Sequence, residues 1–258
     1  MAGQLCVCAN DADHRKVLKV ARVSVVVSLT GALIDAKYGQ FPNDEIDRFY
    51  NGLYQALIIP EETEVELDLV NDTSFQSGGE FINPNGDLTG LVATDGVNLT
   101  PETQFLFFSW GGIHNHLANK LKDQEKGKYN NHFKAFAIDL MCQEAAGGSI
   151  YTTSGVAQDI GKKNVVITKL TPTVQKGTYV HEVLHGLGLW HTHLHSNNER
   201  LPSCVHYVYY APFAIGGAGY PAYLMDIANE KTTDNIMSYS QQRYTTWHWQ
   251  WEIVQSNV

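Results

Sequence analysis

The chain has 258 residues, 43% of them hydrophobic and 17% charged, and a formal net charge of -9 from 18 basic and 27 acidic side chains. That balance describes a globular protein with enough length for a large core, in one or two domains, and not a disordered chain. No Lys/Arg cluster stands out, which argues against nucleic acid as a partner, and no run of about 18 apolar residues is present to span a membrane.

Residues 16–29 are dense in valine and read as one long strand or two short ones. The apolar run 23–33 within this region lies too far inside the chain, and is too rich in β-branched residues, to serve as a signal peptide. The compartment is therefore open, and delivery by a signal-independent route is compatible with the sequence. Residues 43–57 read as a helix, because Ile46, Phe49, Tyr50, Leu53 and Leu57 recur at helical spacing. Asn43 is placed to cap it and Pro60 to end it. Residues 64–70 alternate acidic and apolar side chains, as a half-exposed strand does.

Residues 71–100 are rich in Gly, Asn, Asp and Thr and read as loops, with one short strand near 88–94. A buried strand at 104–110 and a helix at 113–126 follow; Ile113, Leu117 and Leu121 face inward and Gly127 stops the helix. Strands are expected at 135–141, 149–153 and 164–168, then a helix to about Leu187. Residues 192–219 are loop-like, residues 220–230 suggest a short helix, and the tail from Thr246 fits a helix or an alternating strand. No repeat or low-complexity tract divides the chain. Of the four cysteines, Cys6 and Cys8 are too close to pair comfortably. Cys142 and Cys204 are either thiols or a disulfide, which sequence does not decide.

The chemistry concentrates in one stretch, HEVLHGLGLWH, from His181 to His191. Residues four apart share a helix face, so His181 and His185 can offer two imidazole nitrogens to one metal ion. Glu182 follows the first of them, where a carboxylate can reach a water at the metal without binding the metal itself. Gly188 can take the left-handed conformation that ends a helix, which would bring His191 back as a third ligand. Three protein ligands with one position open describe a catalytic zinc site. Alternatives remain for the third ligand: His193 or His195 if the turn differs, or a later carboxylate, Glu230 or Asp226. His114, His116 and His132 read as ordinary surface or loop histidines. A non-catalytic zinc-binding module is the reading from a different class, and a fourth protein ligand would distinguish it.

The stretch resembles the HExxHxxGxxH motif of the metzincin zinc metallopeptidases at every fixed position. Asn235-Ile236-Met237-Ser238-Tyr239 resembles the methionine turn that underlies the zinc in that family. The resemblance implies an α+β, zincin-like fold. A mixed twisted sheet would pack on helices, the zinc helix (Zn2+ held by His181, His185 and His191) would lie at the cleft floor, and a smaller C-terminal subdomain would follow. It implies one metallopeptidase domain over 1–258: an upper subdomain at 1–191 with an insertion at about 71–133, and a lower subdomain at 192–258 holding the methionine turn and a C-terminal helix. It implies peptide hydrolysis with Glu182 as general base, Met237 as a hydrophobic floor and Tyr239 as a second catalytic group steadying the oxyanion. The substrate would be a protein or peptide paired with a sheet edge, expected near 149–153. The residue after the third histidine, Thr192, matches no branch of the family, and no cysteine lies in a matrixin-like latency motif. The motif and tail are also similar to metallopeptidase toxin domains delivered by bacterial secretion machinery, which would bring a secretion carrier or an immunity protein as partners.

Overall fold

The computed structural model describes residues 11–89, 111–146, 149–159, 161–169, 176–189, 212–215, 218–221, 236–237 and 248–258. In chain order its elements are β1 (Lys16–Val27), β2 (Lys37–Tyr38), α1 (Asn43–Gln55), β3 (Ile58–Leu69), α2 (Gly111–Gln124), β4 (Phe133–Ile138), β5 (Cys142–Ala146), β6 (Ser149–Thr153), β7 (Gly155–Ala157), β8 (Asn164–Ile167), α3 (Thr178–Gly186), β9 (Pro212–Ile215), β10 (Ala218–Pro221) and α4 (His248–Ser256). The valine-dense run is a single strand, and it is the centre of the sheet. β1 pairs in parallel with β3 along its whole length and, on its other side, with β4. β4 continues in parallel to β8, and β8 pairs antiparallel with β7. β2 adds antiparallel to the end of β1. The result is a mixed α+β fold with a six-stranded sheet.

Side chains alternate along β1, so its two faces feed two cores. Leu18 and Val20 pack with Phe49 and Leu53 of α1, Val180, Val183 and Leu184 of α3, and Val254 of α4. Val23, Val25 and Val27 pack on the opposite face with Ile113, Leu117 and Leu121 of α2. Those three α2 positions, expected to face inward, are fully or almost fully buried. Among the described residues no helix is long and apolar enough to cross a membrane.

Several local expectations change. Asn43 is the first residue of α1 and not its cap; Pro42 holds that position without a side-chain hydrogen bond. α1 stops at Gln55, the chain turns through Leu57 at φ 55°, and Pro60 lies inside β3 opposite Leu18. Among the described residues β3 pairs with β1 alone, and an edge strand tolerates a residue that lacks an N–H. β6 has the expected bounds but pairs with β5 in a separate hairpin, so it is not an edge of the main sheet; β7 is. The tail resolves as the helix α4. Ala218–Pro221 is a strand paired with β9 where a helix was expected to begin; residues 222–230 lie outside the described residues. The strand expected at 104–110 also lies outside them, as do Cys6, Cys8 and Cys204. Cys142 is buried.

Within segment 71–133, Asp72 ties the start of the segment to α2. Its carboxylate accepts from Ser74 N–H at 3.0 Å and meets His116 Nε2 at 2.8 Å and Lys120 Nζ at 2.9 Å, both on α2. Burial alone would raise this carboxyl, but the bonds from Lys120 and His116 outweigh it and hold it at about 2. A carboxyl depressed in the folded state adds stability above its ordinary value of 3.8, and that stability is lost as pH falls towards about 2. Urea unfolding in that acid range should show stability rising with pH, and Asp72→Asn should flatten the slope.

Candidate metal centre

The motif helix α3 is short, and its position is set from both ends. At its start Gly177 takes a left-handed conformation, φ 87°. The buried Glu45 carboxylate of α1 accepts from Gly177 N–H at 2.6 Å and from Tyr179 N–H at 2.9 Å. A carboxylate from another helix thus supplies the cap that α3 has no side chain of its own to make, and its charge favours the positive end of the helix dipole. α1 comes close because position 52 is glycine: a Cβ there would sit 2.7 Å from Val180 Cγ2. Beneath the first turn, Glu62 of β3 accepts from Tyr50 Oη at 2.9 Å and Tyr179 Oη at 3.2 Å, and it meets Arg22 Nη1 at 3.2 Å. Burial, then Glu62, pushes Tyr50 up to about 12 and Tyr179 well above its ordinary value, so both remain neutral donors. At the other end Gly188 is left-handed, φ 98°, as the spacing implies. Gly188 N–H bonds to His185 O and Leu189 N–H to Leu184 O, each at 2.9 Å, which turns the chain back across the helix end.

His181 and His185 are buried, 2% and 7% exposed, with their rings nearly perpendicular. His181 Nδ1 lies 2.7 Å from Ile236 O, and His185 Nδ1 lies 2.7 Å from Leu189 O. A carbonyl only accepts, so each Nδ1 carries a hydrogen, and a ring that is otherwise unprotonated presents its lone pair at Nε2. The two Nε2 atoms are 3.1 Å apart. Two lone pairs that close repel unless a cation lies between them. Nitrogens bound tetrahedrally to zinc at about 2.0–2.1 Å stand roughly 3.3 Å apart, so the pair fits two corners of such a site. Bonds from the far ring nitrogen to backbone carbonyls are the arrangement that orients histidine ligands.

Glu182, half-buried, points to the sheet edge: its Oε2 accepts from Ala157 N–H of β7 at 2.9 Å. A Cβ on Gly155 would come within 3.0 Å of Glu182 Cγ, so β7 lies directly against this side chain. Met237 is fully buried in the cluster that contains the core face of α3.

The structure therefore brings His181 and His185 together on α3, sets Glu182 against β7, and buries Met237 one residue after the carbonyl that meets His181. His191, Tyr239, and the rival ligands His193, His195, Glu230 and Asp226 lie outside the described residues, as does Thr192. Among the described residues no group of three or more His, Cys, Asp or Glu side chains converges as a metal site. His114 is not a surface histidine: it is fully buried, and its Nε2 lies 3.0 Å from Val156 O. His116 and His132 are half-buried. Sequence reasoning did not find Glu45, Ala157 or the two carbonyl acceptors. Backbone groups leave no mark on residue type, and Glu45 sits 132 positions from Gly177.

No family model matches the chain, and no curated protein does either.

Glu45→Ala leaves two buried N–H groups without their acceptor and should cost about 2 kcal/mol of stability, read as a lower urea midpoint at unchanged slope. Chelation should lower the thermal midpoint and added zinc should restore it. His181→Ala should abolish that zinc-dependent shift.

Proposed function

We propose that this chain is a zinc-dependent endopeptidase with a metzincin-like arrangement of sheet and motif helix. The observation that carries the reading is the pair of buried imidazoles with both Nδ1 hydrogens committed to carbonyls and both Nε2 atoms turned to one point, beside a glutamate held by the strand that ends the main sheet among the described residues. His181 and His185 would hold the ion, with His191 as third ligand in preference to His193 or Glu230, because Gly188 makes the turn that the extended motif requires. When bound, zinc supplies Lewis acidity and lowers the pKa of a water at the site.

The chain's own groups do the rest. Glu182 takes the proton from the attacking water and passes it to the leaving amine. Its carboxylate is oriented for this by Ala157 N–H. Ladder bonds from Gln158 N–H to Asn164 O and from Thr168 N–H to Ser154 O set the alternation of β7 against β8. By that alternation Gly155 C=O and Ala157 C=O face away from β8 and are left to a substrate, while Ala157 N–H on the same side is held by Glu182. An extended substrate would pair along that edge, beside the motif helix. Tyr239 would steady the oxyanion.

Glu182→Gln should keep one zinc ion per chain while cleavage of a quenched fluorescent casein falls about 10²–10⁴-fold. Cleavage by that variant at the wild-type rate would sink the reading. Zinc bound with a fourth protein ligand, and no cleavage by the wild type, would point to a non-catalytic module instead.

A further inference from the structure

We propose that His114, on the helix across the sheet from the motif helix, is a positioning residue that aims Glu182 through a single peptide group of the edge strand. The catalytic consequence rests on the peptidase reading; the tether itself does not.

The geometry runs through the peptide joining Val156 to Ala157. Its carbonyl, Val156 O, is met by His114 Nε2 at 3.0 Å. Its N–H, on Ala157, donates to Glu182 Oε2 at 2.9 Å. By the ladder alternation that carbonyl faces β8, and in a trans peptide the two groups point in opposite directions, so a donor from His114 adds to β8 in fixing the direction of the N–H. The carbonyl only accepts, so His114 must carry its hydrogen on Nε2. A bond to the carbonyl also polarises the peptide and strengthens its N–H as a donor. His114 is fully buried, while Val156 is half-buried.

A second grip lies two residues on. Gln158 Nε2 donates to Asn115 Oδ1 at 2.9 Å, and Gln158 Oε1 accepts from Asn164 Nδ2 at 2.6 Å. Neighbouring residues of α2 thus hold β7 and its exit. β7 needs such support: it is three residues long and takes its ladder pairing from β8. Segment 71–133, expected as an insertion, would then reach the general base through the sheet, by way of Asp72 holding α2 and α2 holding β7.

The test compares wild type, His114→Leu, His114→Gln and His114→Asn as full chains loaded with zinc. Glutamine places an N–H near the reach of Nε2; leucine has no donor, and asparagine is one carbon too short. Amide exchange at Ala157, followed by NMR, should rise about tenfold in the Leu and Asn variants and stay near wild type in the Gln variant. Amides of α1 and β1 should not change. On casein, kcat should fall about tenfold with KM and zinc content unchanged, and Gln should restore it. Wild-type protection of Ala157 in the Leu or Asn variant overturns the proposal. So does equal loosening of α1 and β1, or a kcat loss that glutamine does not restore. If the Leu variant does not fold, the Asn variant makes the same comparison. Full cleavage by Glu182→Gln would remove the peptidase reading while the exchange data still judge the tether.

Discussion

Two backbone carbonyls decide what the motif histidines can do. Ile236 O and Leu189 O each claim an Nδ1 hydrogen, and with those hydrogens committed the rings have one useful atom left. Those two atoms lie 3.1 Å apart, where a positive charge between them would be favoured if both rings are neutral. A cation bound there would couple its binding to folding, because the bonds that orient the rings also bring the two Nε2 atoms together. The two carbonyls come from different places. Leu189 is delivered by the left-handed turn at Gly188, Ile236 by the segment that carries the buried Met237.

Everything around α3 serves to keep the rings where those carbonyls can reach them. Glu45 ties the start of α3 to α1, and Gly52 lets the two helices touch. Position 186 is also glycine, and a Cβ there would lie 2.5 Å from Phe133 Cζ, so α3 sits directly on the start of β4. Glu62 ties Tyr50 of α1 and Tyr179 of α3 to β3. These contacts are polar or close-packed and come from three separate elements, so α3 has little room to roll or slide over the sheet.

How much of this was legible depended on whether a side chain or the backbone carried it. The periodicity of Phe49 and Leu53, of Ile113, Leu117 and Leu121, and the valines of β1 each identified an element and its buried face, because apolar burial is written in residue type. The spacing of His181, Glu182, His185 and Gly188 gave the helix, the two converging imidazoles and the turn. Residues 149–153, expected near a sheet edge, are extended in the β5–β6 hairpin, whereas residues 155–157 end the main sheet, and only pairing tells the two apart. Pro60 misled because it was read as a helix stop, whereas Leu57 makes the turn and β3 tolerates the proline on its outer edge. His114 looked like any loop histidine because its partner, Val156 O, is a backbone group 42 positions away.

The two left-handed glycines at 177 and 188 also fix the length of what lies between them. Each residue advances an α-helix by about 100° of rotation. With both ends locked in conformations that other residues rarely adopt, an inserted or deleted residue within α3 cannot be absorbed by fraying or by extending a turn. It would rotate His185 away from His181, and the carboxylate of Glu182 away from β7. The helix is in that sense a ruler of fixed length, and the chain can change length between functional groups only outside it.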